Sequence, residues 1–267
     1  MFASEAFTSH VEPLGSNQDH TITGSTELFD YLIIMDGHGL GNCIEQAKLF
    51  DWNKIVSNSS AKQILSAINR ELLLRCKSLA GDGSTISIVK IYKDKLHVLW
   101  LGDSQVHILV DDIYYKTTNH NTKNEIECNR ESNIIELHNT FNVINKDMCQ
   151  QVPSKYFVLS NGDVLAMSRA LGHDFATFQR FDELEIPLNI DSTIKILAAT
   201  DGLYDMLYEE EPLRIYSNYN AKNFTNLAKQ RWMQIWKLYD KDSEELTPVS
   251  FQNDMDDIGV IVYQKNM

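Results

Sequence analysis

Six short runs of apolar, largely β-branched residues recur along this chain of 267 residues, and they leave few ways to fold it. Residues 31–35 (YLIIM), 86–92, 96–101 (LHVLWL), 106–110, 194–199 (IKILAA) and 258–263 (IGVIVY) have the length and composition of buried strands. Between residues 61 and 79, Ile64, Ile68 and Leu72 recur at four-residue intervals, and between 221 and 239 a similar spacing links Ala228, Trp232, Ile235 and Tyr239. Both segments predict amphipathic helices packed on a core, with Trp232 and Trp236 as core residues, and 43–50 predicts a third helix. Short connections such as LWLGDSQVHIL predict hairpins. The expectation is therefore an α+β fold of layered, largely antiparallel sheets with helices on their outer faces. The stretch 117–154 is polar and poorly periodic, which predicts irregular structure with one helix near Glu125. The acidic run 209–211 predicts a solvated surface after a short helix. With no internal repeat and no Pro-, Gly- or Ser-rich linker, residues 1–267 are expected to form a single domain.

Composition narrows the function classes. A balance of 24 Lys+Arg against 37 Asp+Glu, net −13, argues against nucleic acid as a partner, because backbone binders neutralise phosphates with clustered basic residues. Cys43, Cys76, Cys128 and Cys149 lie far apart with no zinc spacing, so free thiols and a cytoplasmic or nuclear setting are expected. The first residues lack the basic and apolar regions of a signal peptide, and no apolar run approaches the roughly 20 residues of a membrane span, so a soluble protein is expected.

The chemistry gathers where the apolar runs end. Asp36 follows YLIIM, Asp103 follows LHVLWLG, Asp201 follows IKILAAT, and Asp256 stands just before IGVIVY. Singly, each has an ordinary explanation: Asp103 suits a tight turn, and Asp201 beside Gly202 suits a helix cap. Together they suggest carboxylates converging at strand ends, where repulsion must be relieved by protons or cations. Oxygen-only ligands point to magnesium or manganese, and paired cations of this kind suit phosphoester hydrolysis. His38, flanked by Gly37 and Gly39, is either an ordinary turn residue or an acid that protonates a leaving alkoxide.

Taken in order, Asn17-Gln18-Asp19, IIMDGHG (33–39), GDGSTISIV (81–89), LWLGDSQ (99–105), LAMSRALG (165–172), LAATDGLYDML (197–207) and MDDIGVIVY (255–263) resemble the metal-dependent type 2C serine/threonine protein phosphatases. The resemblance runs through most of the chain. It implies a β-sandwich of two antiparallel sheets flanked by helices, with the metal centre at one end. It further implies hydrolysis of phosphoserine and phosphothreonine in proteins, a place in phosphorylation signalling, and phosphorylated protein substrates for a chain expected to be a monomer. Two core ions, magnesium or manganese, and a third site are implied. By motif match Asp36 bridges two metals, the Gly37 carbonyl binds one, Asp201 and Asp256 bind the other, and Asp103 with Asp205 and Asp201 forms the third site. His38 is the implied general acid, and Asp19 the implied ligand or acceptor for metal-bound water. Ser84, Thr85, Ser168 and Arg169 fall in blocks that the resemblance implies are structural.

The chain departs from the family pattern in several places. Leu14 stands where members often have a phosphate-binding arginine, with Lys48 the nearest other basic candidate. Gln18 stands for a common glutamate, Gln105 for the arginine of GDSR, and Asp257-Ile258-Gly259 for Asn-Ile-Thr or Asn-Ile-Ser. Two rival readings follow: an inactive pseudophosphatase that serves as a protein-binding module, and a phosphatase for a small metabolite.

Overall fold

The computed structural model describes residues 3–9, 17–130, 133–145, 148–208, 210–212, 214, 219–239, 243–253 and 255–266. Its strands are β1 (Ala3–Ser9), β2 (Asp19–Ser25), β3 (Asp30–His38), β4 (Gly83–Ser84), β5 (Ile86–Ile91), β6 (Lys95–Leu101), β7 (Gln105–Val110), β8 (Ile113–Lys116), β9 (Ile134–Asn145), β10 (Met148–Val158), β11 (Val164–Leu165), β12 (Leu171–Gly172), β13 (Asp182–Pro187), β14 (Thr193–Ala199), β15 (Ile235–Tyr239), β16 (Leu246–Ser250) and β17 (Ile258–Asn266). Its α-helices are α1 (Asn42–Ala47), α2 (Trp52–Val56), α3 (Ala61–Arg75), α4 (Glu125–Arg130), α5 (Asp201–Tyr204) and α6 (Ala221–Met233).

The predicted strands all form, and their sequence shows why. β3 is apolar at five consecutive positions because both its faces are covered. Tyr31, Ile33 and Met35 join Ile88 and Leu99 against Ile44 of α1, Val56 of α2, and Ile64 and Ile68 of α3. Leu32 and Ile34 face the other way, with Val89 and Val98, onto Ile108, Ile196 and Ile261 of a second sheet. That sheet, ordered β1-β17-β14-β7-β8, turns Leu197 and Val260 outward onto Leu203 of α5 and Phe224 and Trp232 of α6. The layers thus run helix, sheet, sheet, helix, as expected. The first sheet is ordered β12-β4-β3-β5-β6-β13, with β2 on β3, and both sheets are antiparallel.

Five expectations are corrected. The stretch 117–154 does contain a helix at Glu125, but most of its remainder is strand: β9 and β10 pair antiparallel in a third sheet with β11, β15 and β16. Reading 117–154 as one polar stretch hid that ladder; its irregularity at Val152/Ser154 falls where Pro153 lacks an N–H. The helix predicted over 221–239 stops at Met233, and Ile235–Tyr239 is strand β15, paired with β16 and, in parallel, with β10. The helices predicted over 61–79 and 43–50 also end early, at Arg75, where Cys76 turns extended, and at Ala47. Within the acidic run, Glu211 is buried and ion-paired with Arg231 and with Arg214, not solvated. Cys43, Cys76 and Cys128 are free thiols, and among the described residues no helix is long and apolar enough to cross a membrane.

Candidate metal centre

Strand register brings the aspartates to one end of the sandwich. Asp19 opens β2 directly opposite Asp36 near the end of β3. In the second sheet Ala199, at the end of β14, lies between Val260 of β17 and Gln105 of β7. Asp201, Asp256 and Asp103 therefore sit just beyond three neighbouring strand ends. Asp103 occupies the turn that crosses from β6 in the first sheet to β7 in the second, where Gly102 takes φ 108°. Asp205 follows one turn after Asp201, its N–H bonded to the Asp201 carbonyl at 2.7 Å.

Two threonines fix the backbone beneath these carboxyls. Thr85 N donates to the Asp36 carbonyl at 2.8 Å, and Asp36 N donates to Thr85 Oγ1 at 3.2 Å, so the strand is clamped on both sides of Asp36. Thr200 Oγ1 donates to Asp19 Oδ2 at 2.7 Å and accepts from Gly259 N at 2.9 Å, joining β14, β2 and β17. Gln18 N donates to Asp257 Oδ2 at 2.7 Å, which gives the residue at the departed Asn position a clear part. Close packing explains two glycines: a Cβ on Gly37 would run into Ile44, and one on Gly202 into the Asp257 carbonyl.

The electrostatics are those of crowded acids. Burial, then the neighbouring charges of Asp19, Asp256 and Asp103, raise Asp36 well above the usual carboxylate range. Asp201 is raised the same way, by burial and then by Asp36, Asp256, Asp205 and Asp103. Burial is also the first cause that raises Asp19, Asp103 and Asp256, and it pushes Asp205 up to about 6. Asp205 and Asp256 nonetheless have exposed side chains, so the cluster opens to water on one side.

Among the described residues, no three His, Cys, Asp or Glu side chains already stand as a cage around an ion. Instead Asp36 and Asp256 each lie within hydrogen-bond reach of the Asp201 carboxyl, contacts that need a proton between two acids. The donor set fits hard divalent cations: it is all oxygen, its members repel one another, and Asp103 Oδ1 is buried without a hydrogen-bond partner.

The remaining candidates fall close by. His38 ends β3 and meets His173 edge to edge, Nε2 to Nε2 at 2.5 Å; burial first, then His173, pulls the His38 imidazole down to about 3. Lys48 sits at the end of α1, its Nζ on Glu45 Oε1 at 2.6 Å and on the Asn17 carbonyl at 3.4 Å. Leu14 lies outside the described residues. Sequence reasoning missed Asp82, whose carboxylate accepts from Asn42 N at 2.9 Å and Cys43 N at 3.2 Å and so caps α1 from another segment. It also missed Thr200, His173 and Asp163. Thr200 stands next to Asp201, and Asp82 lies inside the GDGST block; that adjacency was the available signal.

Among curated protein sequences none matches this chain. Solved structures do match its fold. A sex-determining protein of C. elegans is 16% identical with a TM-score of 0.60, over 99% of this chain and 64% of that one. This chain thus spans less than two thirds of that protein. A serine-threonine phosphatase 2C from Toxoplasma gondii is 15% identical with a TM-score of 0.62, over 99% of this chain and 95% of that one. The catalytic domain of the serine threonine protein phosphatase PstP, in complex with two manganese ions, is 15% identical with a TM-score of 0.55, over 98% and 96%. At these identities the likeness is one of fold. The sequence profile of the family described as protein phosphatase 2C matches residues 10–229, which takes in Asp19, Asp36, Asp103, Asp201 and Asp205. A match over that much of the chain, through those five acids, makes this chain a member of the protein phosphatase 2C family.

Proposed function

We propose that the chain, acting as one domain over residues 1–267, hydrolyses phosphoserine and phosphothreonine in proteins with two divalent cations, magnesium or manganese, and a site for a third. The observation that carries this reading is the convergence of Asp19, Asp36, Asp103, Asp201, Asp205 and Asp256 from both sheets on one end of the sandwich, each raised above its ordinary pKa. Asp36 would bridge the core ions, with the Gly37 carbonyl on one and Asp201 and Asp256 on the other; Asp103 and Asp205 would serve the third with Asp201. When bound, such ions supply an acidified water and offset charge on the phosphoryl oxygens. Asp19, held by Thr200, would accept a hydrogen from that water, and His38 would donate a proton to the leaving oxygen. The two manganese ions of the PstP domain support the ion count.

Beside Asp103 opens a hollow of about 830 Å³ lined by Gln105, Lys116, Asn121 and Lys123. Lys123 acts on the charges of both Asp103 and Asp205, which makes it a candidate to receive substrate phosphate where the family arginine is replaced by Leu14.

Phosphate release from a phosphothreonine peptide and from an aryl phosphate tests the reading, each with manganese, with magnesium and with a chelator. Release that needs the metal, and its loss in Asp36→Asn with the fold intact, is the expected result. A folded, cation-loaded chain that turns over neither substrate would favour the binding-module reading instead.

A further inference from the structure

The chain that leaves β8 is stitched back over the turn of Asp103. Thr117 N donates to the Val106 carbonyl at 3.0 Å, and Trp100 Nε1 to the Thr118 carbonyl at 2.8 Å. His120 N then donates to the Gly102 carbonyl at 3.1 Å, and Gly102 N to His120 Nδ1 at 3.0 Å. A turn follows, with Lys123 N on Asn121 Oδ1 at 3.1 Å and Asn124 Nδ2 on the Asn119 carbonyl at 2.9 Å. These bonds hold one wall of the hollow beside Asp103 and carry Lys123 toward Asp103 and Asp205, on whose charges it acts. Register places a second lysine. Lys116 stands opposite His107 in the β7–β8 ladder, and His107 is two residues on from Gln105. Opposite residues, and residues two apart, share a face, so Gln105, His107 and Lys116 line one side of the sheet. The contact of His107 Nε2 with Gln105 Oε1 at 3.1 Å agrees. At about 3.4 Å per residue, Lys116 lies about 7 Å further along the sheet than Gln105, a distance of two residues in an extended chain.

Charge in the hollow separates into two sets. Glu127 and Asp182 are matched by Arg130 and Arg169: Arg169 Nη2 donates to Glu127 Oε1 at 2.6 Å and Nη1 to Asp182 Oδ1 at 2.7 Å, and Arg130 Nη1 donates to Glu127 Oε1 at 3.0 Å. What remains is Lys116, Lys123 and Glu125, all exposed. Among the described residues, neither lysine's ammonium has an ion pair or a hydrogen bond. Gln105, standing where the family pattern has arginine, adds no charge. In a chain of net −13, two unpaired cations in one hollow, one of them beside the acid cluster, suit a ligand that brings two anions.

We propose that this hollow binds the substrate chain beside its phosphoresidue, with Lys123 on the phosphate to be removed and Lys116 on an anionic side chain two residues away, a carboxylate or a second phosphate. The proposal rests on the reading of the acid cluster as the centre of a protein phosphatase. In an extended peptide every second side chain points the same way, so a residue two positions from the phosphoresidue faces the same wall. Lys116 touches no reacting atom; it sets which substrates are preferred. An exposed lysine adds only a few-fold in affinity for a carboxylate, and more for a phosphate with its greater charge.

Binding to the full chain with manganese tests it, read by fluorescence anisotropy on peptides in which a non-hydrolysable phosphonate replaces phosphothreonine. The second position before or after it carries alanine, lysine, glutamate or a second phosphonate. On one of the two sides, glutamate should bind about threefold and the second phosphonate about tenfold more tightly than alanine, a gap that closes as salt is raised. Lys116→Glu should reverse the order in favour of lysine, whereas Lys123→Ala should weaken the alanine and glutamate peptides by the same factor. A gain from the second phosphonate alone would assign the subsite to doubly phosphorylated segments. No gain from either anion, absence of binding included, or a gain that Lys116→Glu leaves untouched, would overturn the proposal. Phosphate release from the matching phosphothreonine peptides tests the reading beneath it. A chain that binds in this order and releases none would refute the phosphatase reading and leave the subsite standing, as that of a binding module.

Discussion

At the scale of single residues, the site depends as much on what is absent as on the acids themselves. Gly202 follows Asp201 so closely beneath the Asp256–Asp257 segment that a methyl group has no room before the Asp257 carbonyl. Gly202→Ala should therefore cost about 1–3 kcal/mol in thermal or denaturant unfolding, the usual penalty of overpacking. It should also weaken the stabilisation that added magnesium or manganese gives, because it moves Asp256 relative to Asp201. Unchanged metal-induced stabilisation would separate the two acids functionally. Asp36, Asp103, Asp201 and Asp256 were legible in the sequence because each flanks an apolar run, and Asp19 and Asp205 only through the resemblance. Of their supports, Thr85 was reached only as part of a block the resemblance implies is structural, whereas Thr200 was missed because its hydroxyl acts on groups of two other strands, and His173 because it becomes meaningful only once β12 is laid beside β4.

Among the elements, the short helix α4 is held by charge more than by apolar packing. Its Glu127 is buried and hydrogen-bonds Arg130, Arg169 and Ser168, while Arg169 Nη1 reaches Asp182 Oδ1 of β13 at 2.7 Å. Burial pushes Glu127 up, but the bonds from Arg169, Arg130 and Ser168 outweigh it and bring it to about 2. A carboxylate lowered on folding contributes stability that is full above its unfolded value of about 4.3 and disappears as pH falls through the folded one. Unfolding free energy should thus decline between about pH 4.5 and pH 2, and Glu127→Gln should flatten that decline while lowering stability at pH 7 by about 3–5 kcal/mol, as when one partner of a buried pair is removed. A pH profile identical in both chains would remove this hub as a determinant of acid stability. The ordering of the elements was readable wherever β-branched residues dominate, as in β3 and β14. It was misread at Ile235–Tyr239, where Ala228, Trp232, Ile235 and Tyr239 continue a helical spacing although the chain turns extended at Gln234, φ −77° and ψ 159°. It was misread again in β9 and β10, where Ile135, Leu137, Phe141 and Val143 do keep a two-residue period but follow the polar, Asn-rich segment 117–133 and were read together with it.

For the molecule as a whole, the layers are glued along their length by apolar contact, Leu32 and Ile34 against Ile196 and Ile261, but not at the end where the acids meet. There the turn carrying Asp103 passes between the sheets, with Asp36 belonging to one and Asp201 to the other. A cation gripped by these carboxylates would be a rivet driven through both sheets. Chelation should then let the sandwich gape from that end while the apolar middle stays shut. Amide hydrogen exchange should quicken first around Asp36, Asp103 and Asp201, and last at Ile33 and Ile196; a uniform quickening would mean that the ions fasten nothing. On this view a cell short of metal would lose the protein's grip on its own shape at the same spot, and in the same order, as it loses the chemistry.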